Sequence, residues 1–89
     1  MAGVLAKQAL RSGASVGANV EEATGGQSRA DFVAKISVAY KEARETAYGL
    51  RLLKDTGYLT DGEFASIHDE AEELCRILCG ILTSTKKKE

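Results

Sequence analysis

An all-α fold, an up-down antiparallel helical bundle with three helices, is what this sequence predicts. Three observations carry the prediction. The 89 residues contain no proline, so nothing forbids long helices. Apolar residues recur at spacings of three and four in three successive segments. The breaks between those segments are short and carry glycine, which makes consecutive helices antiparallel neighbours. No segment shows strand alternation. The length implies one domain, residues 1–89, that buries about 60–65% of its unfolded surface. Such a chain gains from disulfides, metal or oligomerisation.

The first helix is expected over residues 2–24. Leu5, Ala9, Ser12, Val16, Val20 and Ala23 share one face. Gly25-Gly26 ends it. Gly13 and Gly17 lie inside it, and each costs a helix about 1 kcal/mol relative to alanine. A close helix–helix contact, within the chain or between subunits, explains both; a ligand contact is the alternative. Asn19 and Glu22 are the polar residues on this helix most in need of partners if buried.

The second helix is expected over residues 29–56. Ser28 is a natural N-cap, and Asp31 places a carboxylate in the first turn where the dipole favours it. Phe32, Ile36, Ala39, Ala43, Ala47, Leu50 and Leu53 form the core stripe, and Gly57 follows at the C′ position. Ala34, Val38, Gly49 and Leu52 lie outside that stripe, with Glu42 and Glu45 among them. Three helices cannot cover so many small and apolar faces, which argues for self-association. Gly49 joins Gly13, Gly17, Asn19, Glu22, Glu42 and Glu45 as candidate helix-contact or oligomer residues.

The third helix is expected over residues 61–84. Thr60-Asp61-Gly62-Glu63 fits a capping box, with Leu59 and Phe64 placed to form a hydrophobic staple. Phe64, Ile67, Ala71, Leu74, Leu78 and Ile81 make its stripe. Fraying is expected from Thr83 into the tail, residues 85–89.

Charge is unevenly spread. Residues 1–54 carry eight Lys/Arg against five Asp/Glu, a net +3, whereas residues 55–85 carry one against seven, a net −6. The whole chain, at −1, lacks the basic balance of most nucleic-acid binders, but a local basic face remains open. On the second helix Ser37, Lys41, Arg44, Tyr48 and Arg51 fall at spacings of 4, 3, 4 and 3, away from the core stripe. Cations around an aromatic suit phosphate contact plus base stacking. A solvated charged face is the plainer reading of the same pattern. Lys41, Arg44, Tyr48 and Arg51 are the candidate contacts to structured RNA or DNA. The Lys86–Lys88 run adds little to them.

Other chemistry finds less support. His68, Cys75 and Cys79 are too few and too spread for a zinc site, and no Glu-x-x-His motif marks a di-iron bundle. No metal, cofactor or catalytic residue is expected. The serines have no histidine nearby in sequence and no phosphate-binding loop is present, so the chain is not expected to be an enzyme. Glu42 and Glu45, with Glu21 and Glu22, are expected to form an inter-helix ion pair or to hydrogen-bond Asn19 or Arg11. Cys75 and Cys79, four apart on a helix, are poorly placed for a disulfide and suit a reduced, cytoplasmic setting. No signal peptide and no membrane span is expected.

Residues 15–59, SVGANVEEATGGQSRADFVAKISVAYKEARETAYGLRLLKDTGYL, resemble the four-helix-bundle family of 23S ribosomal RNA intervening-sequence proteins. The family pattern S-I-x-A-N-I-x-E is met by Ser15, Val16, Ala18, Asn19, Val20 and Glu22. Q-S-x-x-D-F is met by Gln27, Ser28, Asp31 and Phe32. I-A-x-x-E-A-x-E-T-x-Y-x-L is met by Val38, Ala39, Glu42, Ala43, Glu45, Thr46, Tyr48 and Leu50. The E-E-L-x-x-I-L end of the third helix is also similar. The resemblance implies a cytoplasmic bacterial bundle protein that forms a ring-like homopentamer, with no assigned catalytic residues. It also implies kinship with accessory proteins of diversity-generating retroelements, which bind nucleic acid through basic surface. The non-enzymatic alternative is a protein-interaction or scaffold module. Family members usually begin with a further amphipathic helix ahead of the segment matching Val4–Arg11. This sequence starts at that segment, so the helix is expected to be missing here, either because the sequence is shortened or because a neighbouring subunit replaces it.

Overall fold

The computed structural model describes residues 2–26 and 28–87. Helix α1 is Ala2–Thr24, α2 is Arg29–Asp55 and α3 is Asp61–Lys87, and among the described residues there is no strand. Gln27, Lys88, Glu89 and the side chains of Leu5, Lys86 and Lys87, which figure in the patterns above, lie outside the described residues.

The breaks work as their residues dictate. Gly25 and Gly26 donate their N–H groups to the carbonyls of Glu21 and Ala23 and close α1. Ser28 is extended, φ −149° and ψ 164°, and its Oγ accepts the Asp31 N–H at 3.0 Å. Gly57 turns the chain after α2 with φ +81°, a left-handed conformation that favours glycine. Its N–H donates to the Lys54 carbonyl, and the Tyr58 N–H donates to that of Leu53. The capping box of α3 is reciprocal: the Thr60 N–H donates to Glu63 Oε1 at 2.9 Å, and the Glu63 N–H donates to Thr60 Oγ1 at 3.1 Å. Those bonds, the Thr60 backbone N–H first, hold the Glu63 carboxyl below its ordinary pKa.

One boundary differs from expectation. Helix α3 does not fray at Thr83 but continues to Lys87. The hydroxyls of Thr83 and Thr85 donate to the carbonyls of Cys79 and Ile81 one turn back, at 2.9 and 2.8 Å. These side-chain bonds satisfy the hydroxyls within the helix, and no glycine or proline follows Gly80 to stop it.

Packing is centred on α2. Six of its residues are buried, Ile36, Ala39, Ala43, Ala47, Leu50 and Leu53, and the first three form one core cluster with Val16 and Ala23 of α1 and Leu78 of α3. Among the described residues no Cα of α1 comes within 8 Å of a Cα of α3. The helices form a thin slab, 45 × 20 × 14 Å between Cα atoms. The alanines of α2 let α1 and α3 approach it closely, and the side chains of Val16, Val20, Leu74, Leu78 and Ile81 meet over it.

The slab leaves its outer positions open. Ile67, expected in the core stripe, is 43% exposed, because α3 has α2 on one side and no helix on the other in that half. An apolar groove follows, lined by Gly13 and Val16 of α1, Ala43 and Leu50 of α2, and Ile67 and Leu74 of α3. The glycines also differ from expectation within the chain. A Cβ on Gly13 or Gly17 would meet nothing within 4 Å, so neither marks a close contact inside this chain. Gly49 does: a Cβ there would lie 3.6 Å from that of Ala9, where α1 crosses α2.

Candidate nucleic-acid interface

The face opposite the apolar groove is polar, cationic and aromatic. Helix α2 presents it because the residues not needed in its alanine-rich stripe point away from the core. Lys41, Arg44, Tyr48 and Arg51 are all exposed there, Tyr48 to 59%. At 100° per residue the four fall within a sector of about 80° of the helix. The row expected from sequence is therefore brought together as one exposed surface.

Two shallow grooves flank the row. One runs between α1 and α2 and includes Arg11, Lys41, Arg44 and Tyr48. The other runs between α2 and α3 and includes Arg44, Tyr48, Arg51, His68 and Arg76. Tyr40, Arg44 and Tyr48 line both, so they form the ridge between the grooves. The Arg44 guanidinium stands 5.8 Å from the centre of the Tyr40 ring, a cation–π distance that restrains the arginine. Tyr40 is half-buried against the core and supplies a fixed support.

Lys41, Arg44 and Arg51 share their lack of an ion pair with Lys7, Arg11, Arg29 and Lys54 among the described residues, and differ from them in standing together around Tyr48 on one face of α2. The ion pairs among the described residues are Lys35 with Glu22 and Arg76 with Glu73, and His68 Nε2 stands beside Glu72. Lys41, Arg44 and Arg51 have no carboxylate within ion-pair distance among the described residues, although Glu45 follows Lys41 by four. Arg76 at the α3 rim is pushed up in pKa by its hydrogen bond to Glu73. Glu42, Glu45 and Glu72 are the carboxylates that line the two grooves.

Of the other expected polar residues, Glu22 makes an inter-helix ion pair, and Asn19, Glu42 and Glu45 do not meet the expected partners. Glu22 is exposed and bridges α1 to α2 through Lys35 at 2.9 Å, which raises the lysine pKa. Asn19 does not reach a glutamate. Its Nδ2 donates within α1 to the Ser15 carbonyl at 2.9 Å and to Ser15 Oγ at 3.2 Å. Glu42 and Glu45 form no side-chain hydrogen bond or ion pair among the described residues. They stand at a groove open to water, so solvation replaces the partner a buried carboxylate needs.

His68 lies 3.4 Å from Glu72 and stacks on Phe64 with ring centres 4.6 Å apart. Cys75 and Cys79 are free thiols, and burial, followed by the Glu72 charge, pushes Cys75 up in pKa. No group of three or more His, Cys, Asp or Glu among the described residues is placed to hold a metal ion. No helix among them is long and apolar enough to cross a membrane.

Arg11, Tyr40 and Arg76 belong to the surface although the spacing on α2 does not select them. Tyr40 is within reach of sequence reasoning, since it precedes Arg44 by one helical turn. Arg11 and Arg76 come from other helices, and only the packing brings them to this face.

The model of the 23S rRNA-intervening sequence protein family matches residues 2–80 of this chain. A crystal structure from Bacteroides thetaiotaomicron VPI-5482, described as a protein with unknown function from the S23 ribosomal protein family, is similar at 48% identity. The likeness covers 89% of this chain and 73% of that one, with a TM-score of 0.86. No curated protein matches the chain.

Proposed function

The chain belongs to the 23S rRNA-intervening sequence protein family, and on that premise we propose that it is a non-enzymatic, self-associating protein that binds RNA or DNA through the cationic face of α2. The observation that carries this reading is the row Lys41, Arg44 and Arg51, without carboxylate partners among the described residues and with exposed Tyr48 inside it. Cations already paired gain little from a phosphate; these exchange only water and counterions. Counterion release then makes binding fall steeply with salt.

Self-association is supported by the opposite face. Leu10 is 76% exposed, and the apolar groove and the open glycines Gly13 and Gly17 lie on the same side of α1. Five copies is the number the family resemblance implies. The free thiols go with a cytoplasmic setting.

The test is titration of structured RNA at low and raised salt, with light scattering and the ultraviolet absorbance ratio of the purified protein recorded beside it. Salt-sensitive binding that weakens in Arg44→Glu and Arg51→Glu supports the reading. Absent or salt-insensitive binding at low salt sinks it. The competing reading is a scaffold whose cationic row docks an acidic partner or a second subunit. It takes over if the unaltered protein binds no nucleic acid and the same charge reversals break the oligomer.

A further inference from the structure

The grooves and the ridge between them also say which form of nucleic acid fits. Helix α2 is the central helix of the slab, with α1 and α3 packed on its two sides. A helix that reads duplex DNA enters a major groove about 12 Å wide. The cationic row of α2 cannot enter such a groove without its neighbours, because the slab is 20 Å across between Cα atoms. The face is instead broad and shallow, with Tyr48 standing exposed on its ridge.

Arg44 and Arg51 are about 10 Å apart along the helix axis, and Tyr48 lies between them on nearly the same side. Cation, aromatic ring, cation is the order in which a strand offers phosphate, base and phosphate. A stacking tyrosine needs a free base face, and a duplex keeps those faces stacked inside. Glu45 and Glu72 at the groove walls disfavour the dense phosphate array of a duplex lying across the slab. We infer that the α2 face takes an unpaired strand, a loop, bulge or single-stranded end, with one base stacked on Tyr48 and flanking phosphates on Arg44 and Arg51. This rests on the nucleic-acid reading above and narrows it.

The test compares a short fluorescein-labelled RNA strand with the same strand annealed to its complement, at low salt, by anisotropy on the full chain. The unpaired strand is expected to bind more tightly. Tyr48→Ala is expected to weaken the unpaired strand by about 5- to 100-fold, the loss of one stacked base, and to leave duplex binding unchanged. Tyr48→Phe keeps the ring and should keep the affinity. Arg44→Gln and Arg51→Gln should weaken both forms.

A second readout needs no variant. The chain has three tyrosines and no tryptophan, so its tyrosine emission is directly visible. Quenching of that emission by the unpaired strand and not by the duplex supports stacking. If duplex binds as well as the single strand and Tyr48→Ala changes neither, the inference is overturned while the nucleic-acid reading stands. If neither form binds at low salt, that reading fails and the inference with it.

Discussion

Ala9 of α1 faces Gly49 of α2 so closely that a Cβ on the glycine would lie 3.6 Å from the alanine Cβ. That distance is ordinary van der Waals contact. Gly49→Ala should therefore fit and raise stability by up to about 1 kcal/mol through helix propensity. Gly49→Leu has no room before α1 and should lower stability by about 1–3 kcal/mol. Urea denaturation followed by far-ultraviolet circular dichroism separates the two. Equal stability of both variants would show that the crossing is loose.

Gly17 behaves oppositely within one chain, since a Cβ added there would meet nothing within 4 Å. Gly17→Leu should leave the helix content of the chain intact and reduce the particle size measured by light scattering. Normal assembly of that variant would remove Gly17 from any subunit contact.

Leu78 and Leu10 are chemically the same residue at opposite extremes of burial, 2% and 76% exposed. Leu78→Ala should cost about 2–5 kcal/mol, enough to threaten a domain of this size. Leu10→Ala should shift the stability of a single chain by no more than about 0.5 kcal/mol. A clear loss of thermal stability in Leu10→Ala that grows with protein concentration would instead place Leu10 in a subunit contact.

Thr60 and Glu63 tie the start of α3 to pH. The Glu63 carboxyl is held below its ordinary pKa in the folded chain. Its contribution is therefore present above the ordinary carboxylate pKa and is lost as pH falls through the lowered value. Thr60→Ala should cost about 1 kcal/mol near neutral pH. Glu63→Gln should flatten the acid limb of the stability profile. An unchanged acid limb in Glu63→Gln would assign the pH dependence to other carboxylates.

How much is legible in the sequence depends on the range of the interaction. Ser28, Gly57, Thr60 and Glu63 act within one helical turn, so the caps and turns can be read directly. The buried stripe of α2 is also legible, because a central helix buries the positions its periodicity selects. The stripe of α3 is less so. Ile67 has the right spacing, but its burial needs a neighbour that the described slab does not provide. The end of α3 escapes a propensity argument, because Thr83 and Thr85 are weak helix formers that stay helical with their hydroxyls satisfied by carbonyls one turn back. The cationic row on α2 follows from spacing alone. Its enlargement by Arg11 and Arg76 depends on helix packing, which spacing does not encode.

The division of charge along the chain acquires a direction once the helices are packed side by side. Net negative charge gathers along the α3 edge, whereas α1 is neutral, with two basic and two acidic residues, and the surplus of positive charge lies on α2, with six basic against four acidic. The molecule thus carries a lateral dipole across its width. A polyanion nearby exerts a torque on such a body, drawing α2 inward and turning α3 away before any atom touches. Neutralising α3 acids such as Asp69 and Glu73 would relax this alignment, so its signature lies in the association rate at low salt and not in the lifetime of the complex.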